Sequence, residues 1–198
     1  MEKQLIISVG REYGSGGHEI AQKLADHYGL PLYDHNLLDE MAEKKNLSAK
    51  DLSAFDEKQK GLFFNHKVRG MSISPAENVA ELQFKYLKEK AASGESFVIV
   101  GRCAEHVLQG TEGLTTIFIL GDSEAKIQRI CQLHNMSHHD AEVFCKEKDR
   151  RRKAYHNSHC PMHWGDSRGY ELSINSSKLG IDNTVKIIED YIDTKRKK

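Results

Sequence analysis

Residues 5–28 read LIISVGREYGSGGHEIAQKLADHY. Leu5, Ile6, Ile7 and Val9 form a short apolar run that stops at Gly10, the pattern of a buried strand. Gly14, Ser15, Gly16 and Gly17 supply a turn, and Ile20, Ala21, Leu24, Ala25 and Tyr28 follow at helical spacing. Strand, glycine-rich turn and helix start curl the backbone so that several N–H groups converge. The free N–H groups of the helix's first turn add positive potential at the same point. The stretch therefore predicts an α/β sheet with a phosphate site behind its first strand, where such sheets bind their ligands. A glycine turn that binds nothing has the same composition, and only its position argues against that reading.

The turn departs from the full pattern G-x-x-x-x-G-K-[ST], which needs a Lys at the β/γ-phosphates and a hydroxyl for Mg²⁺. Counted from Gly10, the sixth position is Ser15 and no Lys follows; aligned on Gly14-Ser15-Gly16, the Lys position holds Gly17. Arg11 and His18 are the nearest cations, and Glu19 stands where the hydroxyl belongs. Glu19 is either a carboxylate ligand for a metal or a first-turn acid favoured by the helix dipole. In the second role it competes with a bound phosphate.

At 198 residues the chain suits one domain with a substantial core. Its 29 basic and 29 acidic residues balance, so nothing draws it globally to nucleic acid or an anionic membrane. No membrane-length apolar run occurs, and the N-terminus passes directly into a strand, so a cytoplasmic location is expected. The basic tail from Lys195 to Lys198 reads as a solvated helix end. Cys103, Cys131, Cys145 and Cys160 include no C-x-x-C and read as reduced thiols. His156, His159, Cys160 and His163 lie within eight positions, close to metal-ligand spacing. A structural zinc there competes with the commoner reading of a polar helix end.

Further along, Leu30 to Tyr33 is a short strand candidate ending at Asp34, and residues 36–60 look helical and charged. Residues 76–92 have helical spacing; Phe97 to Val100 and Thr115 to Leu120 are apolar strands, each stopping at a glycine. Ser123 reads as an N-cap, residues 138–155 as a long charged helix, Tyr170 to Ile174 as the last strand and 181–194 as the last helix. Strands separated by helices imply parallel pairing with right-handed crossovers. The roughly 60 residues between Asp34 and Phe97 exceed one crossover, so residues 35–92 are expected to form a helical lobe over the sheet edge.

Four pieces in this order, GREYGSGGHEIAQKLADHYGLPLYD, VIVGRC, KDRRRKAY and YELSINSSKLG, resemble the cytidylate kinase-like family of P-loop nucleoside-monophosphate kinase relatives. The resemblance runs over residues 5–190. It implies a three-layer P-loop kinase-like fold: a parallel five-stranded sheet with helices on both faces, an inserted acceptor lobe and an arginine-bearing lid over about residues 135–168. It also implies transfer of a γ-phosphoryl group from ATP, with Mg²⁺, to an acceptor such as CMP.

Such chemistry asks for positioned cations and exclusion of water rather than covalent help. Arg102 follows the second apolar strand, where its guanidinium would emerge near the glycine turn, either holding a phosphate or capping a carbonyl. True cytidylate kinases carry Gly-Arg-Asp at this place; here Cys103 replaces the acid. Successive helical residues turn by about 100°, so Arg150, Arg151 and Arg152 cannot face one ligand together. Asp149 and Arg152, spaced i, i+3, match the family's Asp-x-x-Arg, which implies Arg152 as the lid cation with Asp149 orienting it. Arg129 is a second candidate, and a solvated basic helix is the plain alternative. The family's upstream Arg-Asp pair is replaced by Cys145-Lys146.

For the acceptor, Asp34 either meets a sugar hydroxyl or caps a helix, and Lys67 or Arg69, near Asp56 and His66, would hold its phosphate. Ser176 and Ser177 follow the last strand in a loop that by resemblance lies near adenine. Tyr155 and Trp164 read as packing residues. Two functions follow: a kinase acting on a nucleoside monophosphate or similar small acceptor, or a nucleotide-binding module that has lost catalysis and acts by sensing or partner binding.

Overall fold

The apolar runs become strands of one parallel sheet. In the computed structural model, which describes residues 3–34 and 75–197, the chain order is β1 (Ile6–Arg11), α1 (Gly17–Tyr28), β2 (Leu32–Tyr33), α2 (Pro75–Ala92) and β3 (Phe97–Val100), then α3 (Ala104–Val107) and β4 (Leu114–Leu120). Helices α4 (Ser123–His134) and α5 (His138–His159) follow, then a 3₁₀ turn (Ser167–Gly169), β5 (Leu172–Asn175), α6 (Ser176–Leu179) and α7 (Ile181–Arg196).

All pairings are parallel, in the order β2-β3-β1-β4-β5. Strand β1 is central: Ile6 to Val9 run beside Phe97 to Val100, and Ile6 to Arg11 beside Leu114 to Ile119. Flanked on both edges and covered on both faces, it is buried up to Gly10 and opens only at Arg11.

One face of the sheet presents Ile7, Val9, Val98, Ile117 and Ile119 to Ile20 and Leu24 of α1 and to Val185, Ile188 and Ile192 of α7. The other presents Ile6, Phe97 and Ile99 to Tyr86, Leu87 and Ala91 of α2. Each fully buried side chain of this kind contributes about 1.5–3 kcal/mol, so the layers hold β1, and the turn after it, as a rigid platform. Helices α4 and α5 form a third cluster through Ile127, Ile130, Ala141 and Cys145, against which Tyr13 and Phe144 pack.

Several expected boundaries shift, the long helix among them, which runs on to His159. Asp122, not Ser123, occupies the cap position of α4, and Ser123 is already helical. The last strand starts at Leu172; Tyr170 lies before it, its ring 5.0 Å from that of Phe118. The second strand is reduced to Leu32–Tyr33 because Pro31 has no N–H for a ladder. The expected helical reading of 36–60, and Asp56, His66, Lys67 and Arg69 with it, lie outside the described residues. No described helix is long and apolar enough to cross a membrane.

Candidate active site at the end of the central strand

The chain leaves β1 at Arg11 and turns through Glu12 to Gly16 into α1. Gly14 and Gly16 have φ of 82° and 78°, conformations that L side chains rarely adopt. Side chains from four elements fix the turn. Ser15 Oγ donates to the Glu12 carbonyl at 2.9 Å, and Ser176 Oγ donates to the Ser15 carbonyl at 2.6 Å. The Glu12 carboxylate accepts from the Gly121 N–H at 3.0 Å and from Lys126 Nζ at 2.9 Å. The Tyr13 N–H donates to Asp149 Oδ1 at 2.6 Å, and Lys126 lies 3.5 Å from Asp149 Oδ2.

These ties consume the outward carbonyls and carboxylates of the turn. Among the described residues, the N–H groups of Gly14, Gly16, Gly17 and His18 have no hydrogen-bond partner. They are the orphan donors at the start of α1, which an anion can satisfy.

Arg11 and Arg152 stand beside this cup, and Arg102 adjoins both of them in a smaller cavity. Arg11 ends β1, with its stem against Gly17: a Cβ on Gly17 would lie 2.5 Å from Arg11 Cβ. Its guanidinium rests against Gly101, whose φ of 76° and lack of a Cβ allow that approach. Arg102 and Cys103 then adopt φ of 58° and 55°, a left-handed pair of non-glycine residues. Such backbone costs of order 1–3 kcal/mol per residue and collects at functional sites. Arg152 of α5 donates from Nη1 to the Arg11 carbonyl at 3.2 Å and stacks over the Tyr13 ring, 5.1 Å from its centroid.

Burial, then the neighbouring Arg152 and Arg102, push Arg11 down to about 9. Burial also lowers Arg152. Like charges gathered away from water raise one another's energy, and a bound anion relieves that.

Two cavities meet at these cations. A cleft of about 610 Å³ runs from Arg11, Gly16 and Arg152 past Arg129 to Leu133 and His134, with His18, Glu19 and Asp34 in its wall. A smaller cavity of about 60 Å³ lies behind it, walled by Arg11, Arg102, Arg152 and Tyr155. Arg11 and Arg152 border both.

Of the residues expected here, Arg11, Gly14, Gly16, Gly17, His18, Glu19, Asp34, Arg129 and Arg152 line the larger cleft. Arg129 Nη2 is engaged by Glu19 at 2.5 Å, and His18 Nε2 lies 3.4 Å from Asp34. No lysine lines that cleft among the described residues. Asp149 has a different partner from the expected one. It clamps Tyr13 and Lys126, and among the described residues it makes no hydrogen bond to Arg152. Ser176 and Ser177 also act from beneath: Ser176 is buried against the Ser15 and Leu120 carbonyls, and Ser177 Oγ accepts the Asp122 N–H. Trp164 packs edge-on to Phe118. Lys67 and Arg69 lie outside the described residues.

Sequence reading missed Glu12 and Lys126. A signal existed for Glu12: an acid inside a turn built for anions must be neutralised internally, which demands a cation from elsewhere in the chain.

A parallel sheet ordered β2-β3-β1-β4-β5, with a glycine turn opening a helix at the end of its central strand, defines the class of P-loop-like kinases. The family model described as "Cytidylate kinase-like family" matches residues 6–178, and the chain belongs to that family. Cytidylate kinase of Pyrococcus horikoshii is 26% identical over 199 residues, covering 96% of this chain and 89% of that protein. The crystal structure of an uncharacterized protein from Eubacterium ventriosum is 37% identical, with a TM-score of 0.77 over 96% of this chain and 99% of that one. Shikimate kinase from Bacteroides thetaiotaomicron, at 16% identity, shares the fold with a TM-score of 0.55, over 96% of this chain and 98% of that one. Phosphoryl transfer is the general chemistry that these kinases support.

Proposed function

We propose that the protein transfers the γ-phosphoryl group of ATP to a nucleoside monophosphate of the CMP type, or to a similar small acceptor. The observation that carries this reading is the meeting of Arg11 and Arg152, with Arg102 adjoining them, at N–H groups of the start of α1 that have no partner among the described residues. In phosphoryl transfer, negative charge spreads over the equatorial oxygens of the moving group, and fixed cations stabilise it there. Arg11 is the natural substitute for the lysine that the turn lacks, since it leaves the sheet where the turn begins. Arg152 of α5 and Arg102 of the turn after β3 would add positive charge to that of Arg11.

Mg²⁺ prefers carboxylate and water oxygens. Glu19 and Asp34 supply such oxygens in the wall of the cleft, so the residues present fit the ion. Bound there, the ion would neutralise negative charge on the phosphates.

The absence of a lysine from the cleft among the described residues, and the 2.5 Å pairing of Glu19 with Arg129, favour a second reading, a nucleotide-binding module without turnover. A coupled ADP-release assay over a panel of nucleoside monophosphates, shikimate and gluconate separates the two. Turnover with one acceptor, lost in Arg102→Ala with the fold intact, supports the kinase. ATP binding without turnover for every acceptor supports the module.

A further inference from the structure

Behind the arginines lies a second cluster of chemically active side chains that phosphoryl transfer does not use. Glu105, His156 and Cys160 are all buried and offer three ligand atoms within 4.8 Å of one another. His156 Nε2 is 2.7 Å from Glu105 Oε1. Cys103, also buried, is a near neighbour of Cys160.

We propose that Glu105, His156 and Cys160 form a site for one thiophilic divalent cation of the zinc class, fastening the end of α5 to the start of α3.

The donor set argues for that class of ion. One sulfur, one imidazole nitrogen and one carboxylate oxygen suit Zn²⁺, whereas Mg²⁺ and Ca²⁺ prefer oxygen alone. Tetrahedral bonds of about 2.0–2.3 Å place neighbouring donors roughly 3.3–3.8 Å apart, so the 2.7 Å His156–Glu105 contact would open slightly and the wider separations would close by at most about 1–1.5 Å.

Two elements build the site. Glu105 stands at the start of α3. His156 and Cys160 sit four residues apart at the end of α5, where the Cys160 N–H bonds the His156 carbonyl at 2.8 Å. Second contacts orient His156: Asn157 Oδ1 lies 3.4 Å from its Nδ1 and accepts the Trp164 N–H at 2.8 Å. An entry path exists, because Glu105, His156 and Cys160 form the floor of a cleft of about 450 Å³ bordered by Thr116, Met162 and Tyr170.

Neither of the histidines nearest in sequence, His159 and His163, is among the clustered donors.

The test uses the full chain, purified without chelator under reducing conditions. Metal analysis should find close to one equivalent of zinc, and Co²⁺ added to demetallated protein should give the thiolate-to-cobalt charge-transfer band of a tetrahedral sulfur site. Glu105→Gln should weaken Co²⁺ binding at least tenfold, and Cys160→Ser should remove the band. His159→Ala and His163→Ala should leave it intact. Wild-type protein that stays metal-free, with the Cys160 thiol titratable and no cobalt band, would overturn the proposal. So would recovery of a Cys103–Cys160 disulfide that persists when reductant and Zn²⁺ are supplied together. Both decisive readouts come from the wild-type chain, so a variant that fails to fold does not obscure them, and neither depends on kinase turnover.

Discussion

Arg152 Nη1 donates to the main-chain carbonyl of Arg11 at 3.2 Å, joining α5 to the last residue of the central strand. One guanidinium edge is spent on this bond, and its face lies over the Tyr13 ring. The remaining N–H groups are left for the cleft. Helix α5 can therefore be registered on the sheet by the same side chain that we assign to the transferred phosphate.

Arg152→Ala should lower kcat by about 10²- to 10³-fold, the loss typical of removing one preorganised donor from a charged transition state. Arg152→Lys keeps the charge but not the planar fork, and should recover only part of that rate. Steady-state kinetics with circular dichroism to verify folding checks both. An unchanged rate in Arg152→Ala would remove α5 from the chemistry.

Gly101→Ala tests how Arg11 is seated. The substitution places a Cβ in left-handed backbone, costing about 1–2 kcal/mol, and against Arg11 Nη1. For a chain of this size Tm should fall by about 2–8 °C. The displaced guanidinium should also lose its hold on anions, so thermal stabilisation by phosphate should shrink. A fall in Tm with the phosphate response intact would mean that Arg11 does not bind the anion.

What the sequence made legible follows from what is local. Phe97 to Val100 is a run of four apolar residues ending in glycine, and it folds as the strand that it reads as. The turn at Gly14 to Gly17 declared itself because only glycine serves where φ is positive and a neighbour is close. Contacts between distant segments did not declare themselves. Helical spacing links Asp149 with Arg152, yet the hydrogen bond of Asp149 reaches 136 residues back to Tyr13. The His–Cys cluster drew attention to His159 and His163, while Glu105, 51 residues from His156, completes the buried set. Periodicity reports which face is buried; it does not report which partner fills it.

Asp149 carries a pH signature. Burial raises its carboxyl above the ordinary value of 3.8, against the Tyr13 N–H, Lys126 and Arg152, which lower it. The folded state therefore binds this proton more tightly than the unfolded chain does. Its contribution to stability is greatest below the unfolded value, declines as pH rises through the raised folded value and stays level above it. Asp149→Asn keeps an acceptor for Tyr13 but does not titrate. Relative to that variant, wild-type protein should lose stability as pH rises from about 4. Urea denaturation of both proteins across the acid range checks the sign. A wild type that gains on the variant with rising pH would show the ion pair with Lys126 outweighing burial.

Arg11 combines cost and function in one side chain. Its folded value of about 9 lies below the 12.5 of an exposed guanidinium. Between those values the unfolded chain holds the extra proton, so stability from this group rises with pH there, and at neutral pH its full cost is present. Arg11→Met keeps an apolar stem beside Gly17 and removes the charge. The ligand-free variant should be more stable than wild type by about 0.5–2 kcal/mol, the usual yield when a strained functional group is relieved. Phosphate should stabilise wild-type protein at pH 7.5, less so as pH passes about 9, and the variant hardly at all, since ligand stabilisation scales with the anion's affinity for the folded state. Differential scanning fluorimetry with and without phosphate at both pH values measures all four quantities. If Arg11→Met destabilises the ligand-free protein, the guanidinium is a structural strut rather than a cation held ready for an anion.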